Sequence, residues 1–142
     1  MPQELQSPEL QAWAAGFPLA LLHALVALVL LTAGTTLYAL ITPHRDIHQI
    51  RRGNAAAAVS FGGVIVGLAL PLAVSLTAST SLVDVAIWGL AAIFIQLAVF
   101  RLTDIVLHGL PQRIAEGELA AAALLVSAKL ATAIILAAAI AA

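Results

Sequence analysis

The last 24 residues of the chain, LAAAALLVSAKLATAIILAAAIAA from Leu119 to Ala142, contain a single charged side chain, Lys129. A helix rises about 1.5 Å per residue, so this stretch is long enough to cross the roughly 30 Å hydrocarbon core of a bilayer. Lys129 would then lie near the bilayer centre, where a charge costs at least ~2.5–3.5 kcal/mol on insertion scales. The segment therefore predicts a transmembrane helix, and Lys129 predicts a buried partner, a water-filled cavity or a functional site.

The composition of the whole chain agrees with this prediction. Of its 142 residues, 63% are hydrophobic and 9% are charged, whereas soluble domains carry about 25% charged residues. We therefore expect a protein surrounded by the lipid bilayer. The net charge of -1 argues against a nucleic-acid partner, because phosphate binding needs a basic surface. The absence of cysteine excludes disulfides, thiolate metal sites and a cysteine nucleophile.

Four apolar stretches are each long enough to span a bilayer, at about residues 17–41, 55–78, 85–107 and 119–140. Their unbroken apolar character indicates helices, since the strands of a membrane barrel alternate polar and apolar residues. We predict an all-α, polytopic membrane protein whose four transmembrane helices form two tandem helical hairpins. A single membrane domain would use the whole chain, 1–142.

Basic side chains are concentrated in the two links that follow the first and third spans. The first link carries a group that we name the basic link: His44, Arg45, His48, Arg51 and Arg52. Arg101 and Arg113 flank the second link, whereas the N-terminal tail and the loop between the second and third spans have neither Lys nor Arg. Because positive loops stay in the cytoplasm, we expect both links to be cytoplasmic and both termini periplasmic. The tail without basic residues also predicts that the first span is retained and not removed as a signal peptide.

Residues at the ends of the spans predict helix caps and an aromatic belt. Asn54 is expected to cap the second span, and Glu116 or Glu118 the fourth. Tyr38 would lie at the cytoplasmic interface of the membrane. The aromatic residues expected at the outer interface are Trp13, Phe17 and Trp88.

The two halves of the chain align when one is shifted by 64 residues, which places Ile41 on Ile105 and Gly53 on Gly117. Further matches are His44 with His108, Ile50 with Ile114, and 56–58 with 120–122. We predict an internal duplication, with repeat 1 at about 17–78 and repeat 2 at about 82–142. Both hairpins would run in the same direction, so the repeat axis would lie along the membrane normal.

The large polar side chains within the spans belong mainly to the second repeat. We predict that Lys129, Gln96, Arg101 and Asp104 line a pathway or are buried. Counted from the cytoplasmic ends of their helices, Gln96 and Lys129 lie at about the same depth, roughly 16–18 Å. We expect these two to hydrogen-bond directly or to line a cavity between subunits together, with no carboxylate at their level. Arg101 and Asp104 are three residues apart and are expected to pair with each other.

A face of small residues on the second span predicts close helix packing. Ala56, Ser60, Gly63 and Gly67 are separated by 4, 3 and 4 residues, so they share one face and let backbones approach. Two interpretations are open: a contact within one chain, or a self-association face. Four helices offer little interior in which to hide the polar residues, so we also predict a homo-oligomer, with a dimer as the default by symmetry.

Enzymatic and metal-binding motifs are absent from the sequence. There is no HExxH, no GxSxG and no paired-carboxylate site at the membrane midplane. His44 and His48 are four residues apart and could present two imidazoles to a metal, but three neighbouring arginines would repel the cation. Contact with anionic headgroups explains this segment better. We predict a protein that is not an enzyme and has no metal and no cofactor.

Several motifs resemble a known bacterial family. They are 41–44 (ITPH), 54–63 (NAAAAVSFGG), 67–72 (GLALPL), Trp88 and 96–100 (QLAVF). The chain is similar over these motifs, from about Leu37 to its C-terminus, to the YjfL-type small inner-membrane proteins, a family of unknown function with four spans in two repeats. The resemblance implies a bacterial inner-membrane location and a link to envelope stress, and it supplies no catalytic residues.

Two functions fit the sequence. The first is a small oligomeric channel or transporter, in which polar groups of the second repeat line a path for an ion or small solute. The alternative is a non-transporting structural or envelope-stress protein whose basic link docks a peripheral cytoplasmic partner.

Overall fold

The computed structural model describes residues 7–42 and 46–142, and four long apolar helices dominate this part of the chain. In chain order the helices are α1 (Pro8–Ile41), α2 (Asp46–Arg51), α3 (Ala55–Ala78), α4 (Leu82–Val106), α5 (Leu110–Ala115) and α6 (Leu119–Ala141). The four long ones are apolar enough to cross a membrane. The predicted all-α class with four membrane spans is confirmed. We name the end of the bundle that carries α2 and α5 the link end, and the other the far end.

The first span is longer than predicted. α1 begins at Pro8, well before the expected start near residue 17, because Ser7 caps it and accepts a hydrogen bond from the Leu10 N–H at 3.4 Å. Proline is favoured in the first helical turn, since its missing N–H has no acceptor there anyway. With 34 residues, α1 is about 51 Å long, well beyond the hydrocarbon core.

α3 lies at the centre of the bundle, against α1, α4 and α6. A methyl group at Gly63 would come within 2.6 Å of the Val126 side chain on α6, and one at Gly67 within 2.5 Å of the Phe100 ring on α4. The whole predicted face is buried: Ala56, Ser60, Gly63 and Gly67. Its neighbours are helices of the same chain, so this face is not available to a second copy.

The two links between spans have the same backbone structure. α2 and α5 are six residues each. A glycine lies two residues after the end of each helix, Gly53 and Gly117, with φ of 85° and 91°. Only glycine adopts this left-handed region without strain. Each glycine N–H donates to the carbonyl three residues earlier, Ile50 and Ile114, at 2.9 Å. These bonds end the short helices in the manner of a helix C-cap.

The residues that follow these glycines behave differently. Asn54 caps α3 as expected, accepting from the Ala57 N–H at 3.0 Å, and its amide also donates to the Ile114 carbonyl at 2.9 Å. Asn54 therefore ties the first link to the second. At the equivalent position the Glu118 side chain makes no cap bond to α6. It accepts from Arg113 Nε at 2.6 Å instead, so the expectation that it would cap α6 was wrong.

Candidate functional site

Lys129 is fully buried, and its ammonium group has two polar partners. Its Nζ lies 2.8 Å from Asp104 Oδ1 and donates a hydrogen bond to the Tyr38 hydroxyl at 2.6 Å. The side chains of Lys129 and Asp104 are 0% and 7% exposed, and Tyr38 is 4% exposed. We name Lys129, Asp104 and Tyr38 the buried triad. It joins α1, α4 and α6, and it supplies the carboxylate that the sequence did not place at the level of the lysine.

The triad forms because its side chains lean toward one another along the bundle. Helical side chains point toward the N-terminus of their own helix. α6 begins at the link end, so the Lys129 side chain extends toward that end by up to about 6 Å, roughly one helical turn. α1 and α4 finish at the link end, so Tyr38 and Asp104 lean away from it. Residues whose Cα atoms differ in depth therefore bring their polar atoms together.

Two aromatic rings enclose the ammonium group. Nζ lies 4.7 Å from the centroid of the Tyr38 ring and 5.4 Å from that of Phe100. The two rings meet edge to face, with centroids 6.2 Å apart and planes at 88°. A cation over aromatic faces is stabilised by the ring quadrupole, and most strongly where water is excluded. The rings thus replace part of the hydration that Lys129 loses on burial.

Gln96 is another polar residue that is fully buried, at 0% exposure, as is Ser75 on α3. Neither its amide nitrogen nor its amide oxygen makes a hydrogen bond within residues 7–42 and 46–142. The predicted hydrogen bond between Gln96 and Lys129 was therefore wrong. The lysine side chain extends toward the link end and meets Asp104. Gln96 precedes Asp104 by about two turns of α4, so it lies nearer the far end.

Arg101 does not join the site. Its side chain is exposed, and Asp104 pairs with Lys129 and not with Arg101, so the predicted pair along α4 was wrong. Helical geometry explains this arrangement: Gln96, Phe100 and Asp104 are four residues apart on the buried face, and Arg101 is rotated by about 100° from Phe100. Its place on the outer surface suits a side chain that extends toward headgroups.

Sequence reasoning did not include Tyr38 in the site, because a tyrosine near a span end was assigned to the membrane interface. The signal that could have found it is its position on α1. Gly34 and Tyr38 are four residues apart, and both are buried. A buried tyrosine needs a partner for its hydroxyl, and Lys129 provides it.

A buried hydroxyl and a half-buried carboxylate continue from the triad toward the link end. Thr42 follows α1 and is 7% exposed, and its Oγ1 makes no well-aligned hydrogen bond to another described residue. Asp46, which is half-buried, begins α2. It lines an open surface cavity of about 300 Å³ together with Ala39, Ile47, His48 and Arg51.

The basic link is only partly described. His44 and Arg45 lie outside the described residues, so the idea of a metal between His44 and His48 stays untested. His48, Arg51 and Arg52 are exposed. Among the described residues, no group of three or more His, Cys, Asp or Glu side chains is arranged to hold a metal ion. The exposed cations can meet headgroups or a protein surface.

Four apolar helices around a sealed ion pair define a multi-pass membrane protein with an intramembrane polar site. Residues 12–140 match the family model described as Domain of Unknown Function (DUF350), so the chain belongs to that family. It is 33% identical over 95 residues to UPF0719 inner membrane protein YjfL of Escherichia coli, in strain K12 and in O157:H7. The match covers 67% of this chain and 72% of each relative. The expected resemblance and the inner-membrane location are confirmed.

No solved structure matches this chain.

Proposed function

We propose that this protein is a small inner-membrane transporter that moves protons, and that the buried triad is its occluded protonation site. The observation that carries the proposal is the direct contact between Lys129 and Asp104, 2.8 Å apart and sealed inside an apolar bundle. Ionisable residues in a membrane interior are costly, and they typically mark ion pathways and proton relays.

The charge balance of the pair links proton binding to helix movement. In the occluded arrangement Lys129 is positive and Asp104 negative, so the site has no net charge. A proton added to Asp104 leaves a net positive charge, and one removed from Lys129 leaves a net negative charge. An unpaired buried charge costs about 3–5 kcal/mol. A change in proton number therefore favours a second arrangement in which water reaches the site.

The packing of the triad indicates what it can carry. The ammonium group touches the carboxylate, the tyrosine hydroxyl and the ring faces directly, with Phe100 itself fully buried. These contacts leave no space between the partners for a solute. The site is therefore suited to a proton and to alternating access, and not to a continuously open pore lined by the second repeat.

α1 is the helix best placed to move. Three of its 34 residues are buried, Ala27, Gly34 and Tyr38, whereas ten of the 24 residues of α3 are buried. A helix with few buried contacts costs less to displace. Movement of α1 would withdraw the Tyr38 hydroxyl from Lys129 and open the triad.

Proton flux into proteoliposomes tests this proposal. A pH-sensitive dye inside the vesicles should report flux above that of empty liposomes when a pH gradient is imposed. The double variant Lys129→Met with Asp104→Leu should remain folded and lose the flux, because both protonatable groups are removed. Ile65→Met is the matched control, since Ile65 aligns with Lys129 but carries no proton. The absence of wild-type flux, or full flux in the double variant, would refute the proposal.

The homo-oligomer stays a prediction, and the argument for it is now the apolar outer surface and no longer the burial of Lys129. One chain hides the triad by itself, so burial of Lys129 no longer requires a second copy. The outward faces of α1 and α6 are apolar and can contact lipid or another protein; their exposed residues include Leu25, Val29, Ile134 and Ile135. Native mass spectrometry from lipid nanodiscs would separate a monomer from a dimer.

A second candidate function is docking of a peripheral protein at the link end. The observation that favours it is the exposure of His48, Arg51 and Arg52, of which His48 and Arg51 line the cavity beside α2. An acidic partner would be steered to this surface. Replacing Arg51 and Arg52 by Gln should abolish recovery of such a partner in a membrane pull-down, with Arg101→Gln as control. Equal recovery from both variants would rule out docking through α2.

A further inference from the structure

We infer that protons reach the buried triad from the link end of the bundle, through the Thr42 hydroxyl and the Asp46 carboxylate. The inference rests on the proposed proton transport and specifies the route and its residues. It depends on what lies on either side of the triad along the bundle.

Thr42 is the first step away from the triad. It follows Tyr38 by four residues, one helical turn, and its backbone N–H donates to the Tyr38 carbonyl at 3.0 Å. Its hydroxyl is buried and has no well-aligned hydrogen bond among the described residues. A buried hydroxyl without such a bond is unfavourable. A relay accounts for it, because a hydroxyl can accept one proton while it releases another.

Asp46 connects Thr42 to solvent. Its half-buried carboxylate lines the open cavity of about 300 Å³ beside α2, which also includes Ala39, the neighbour of Tyr38 in sequence. The cavity that Asp46 lines therefore reaches the turn of α1 that carries Tyr38. An ionisable group at the rim of a cavity can exchange protons with bulk water and pass them inward.

Apolar packing closes the other direction. On the far side of the triad, Phe100 is fully buried and its ring fills the space that Gly67 leaves open. The buried apolar cluster on this side contains Val64, Leu68, Leu72, Ile93 and Leu97. Gln96 and Ser75 are polar side chains buried on this side. The Ser75 hydroxyl donates to the Pro71 carbonyl of its own helix at 2.9 Å, and no hydrogen bond joins Gln96 to the triad. A proton therefore meets a hydroxyl and a carboxylate toward the link end. Toward the far end it meets mainly hydrocarbon, and neither buried polar side chain there is bonded to the triad.

The charged groups around the triad can be assigned to each element. α1 contributes Tyr38 and α6 contributes Lys129. α2 contributes Asp46, and His48 and Arg51 line the same cavity beside it. α4 contributes Asp104 inside the site, with Arg101 exposed on the outer surface of the bundle. α3 has no titratable side chain. Asp46 is therefore the acidic group between the triad and the link end within the described chain.

The transfer changes only O–H bonds. Protonated Asp46 gives its proton to the Thr42 oxygen while the Thr42 hydroxyl proton moves to the Tyr38 oxygen. Tyr38 in turn releases its own proton to the Asp104 carboxylate, whose Oδ2 lies 3.5 Å from the Tyr38 oxygen. Asp104 becomes a neutral acid, Lys129 stays an ammonium ion, and Asp46 recovers a proton from water in the cavity.

Infrared spectroscopy after a rapid drop in pH tests the route in lipid nanodiscs. The band of protonated Asp104 is identified by its loss in Asp104→Asn. Thr42→Val and Asp46→Asn should slow the appearance of this band by at least about tenfold, without changing its final amplitude. Thr42→Ser and Asp46→Glu keep a hydroxyl and a carboxylate, so they should restore the wild-type rate.

Two exposed residues provide matched controls. Thr32→Val removes a hydroxyl from α1 that bonds its own helix, and Glu116→Gln removes an exposed carboxylate at the other link. Neither should change the rate. Wild-type rates in Thr42→Val and Asp46→Asn would overturn the route, as would an Asp104 band that never forms while the protein stays folded. The measurement needs no transport, so it separates a wrong route from a wrong proposal of proton flux.

Discussion

The two halves of the molecule, α1–α3 and α4–α6, have links of the same structure but spans of different chemistry. α5 begins 64 residues after α2 and has the same length, and the glycine-terminated bonds recur at the same distances. The triad does not recur. Lys129 aligns with Ile65, and Asp104 aligns with Leu40, which is 77% exposed.

This difference separates what a repeated local sequence encodes from what tertiary packing adds. A glycine after a six-residue helix ends that helix wherever it occurs, because only the backbone is involved. A buried ion pair needs one side chain from each of two helices and apolar residues around both. The internal duplication stays a prediction, and the variants below compare positions that it pairs.

The largest effect is expected from breaking the triad on one side. Asp104→Leu should lower the free energy of unfolding by about 3–5 kcal/mol, because it leaves the Lys129 ammonium buried without its counter-ion. Adding Lys129→Met should recover most of that loss, since well-packed apolar groups replace a buried pair at little cost. Detergent-induced unfolding in mixed micelles measures both variants. Ile65→Met is the control at the aligned position of the first half, and a loss there as large as in Asp104→Leu would contradict the comparison.

The next effect concerns how α3 approaches α6. Gly63→Ala should cost about 1–3 kcal/mol of unfolding free energy, because its methyl group would lie 2.6 Å from Val126. A methyl group at the neighbouring Gly62 would meet nothing within 4 Å, so Gly62→Ala should be tolerated. Detergent-induced unfolding again measures the difference between the two variants.

The glycine effect can also be reversed from the other helix. At this contact α3 contributes a glycine, Gly63, and α6 contributes a larger residue, Val126. In the alignment of the two halves, Val126 pairs with Gly62, the control position. Val126→Ala should therefore recover stability in the Gly63→Ala background but not in Gly62→Ala. Equal losses from the two glycine variants would show that α3 and α6 are not in close contact at Gly63.

A smaller effect distinguishes the residues that begin α3 and α6. Asn54→Ala should cost about 1–2 kcal/mol, because it removes the cap and the bond to the Ile114 carbonyl. Glu118→Ala should cause no measurable loss, since its salt bridge with Arg113 is exposed. Thermal unfolding in detergent measures both variants. A larger loss from Glu118→Ala than from Asn54→Ala would contradict the assignment of Asn54 as the residue that ties the two links together.

The smallest effect is the pH response of the second link. Hydrogen bonds from Arg113 hold the pKa of Glu118 below its ordinary value, and Glu118 in turn raises the pKa of Arg113. A lowered carboxylate pKa means that the ion pair contributes above the unfolded-state pKa and is lost as the pH falls through the folded-state pKa. Carbon-detected NMR titration should show this lowered pKa, and Arg113→Gln should return it toward the ordinary value. An unchanged titration in Arg113→Gln would contradict the pairing.

The membrane class, the four spans and the positions of the links could all be predicted from the amino-acid sequence. These features follow from local properties: apolar runs of sufficient length, glycine where the backbone turns, and Asn54 at a helix start. The bounds of the spans at the link end were predicted within a few residues, whereas the start of α1 at the far end was missed. A helix can continue beyond the bilayer whenever its first turn is capped, and hydrophobicity does not report that extension.

Which polar groups meet is a property of the packed bundle. Depth along the sequence counts Cα positions, and on that count Lys129 was matched with Gln96. Asp104 was matched with Arg101 because they are three residues apart on one helix. Side chains lean toward the start of their helix, and the antiparallel direction of α4 and α6 brings Lys129 and Asp104 together from different depths. Rotation about the helix axis then excludes Arg101 and includes Tyr38. Both properties depend on how neighbouring helices are oriented, and the sequence of one helix does not contain that orientation.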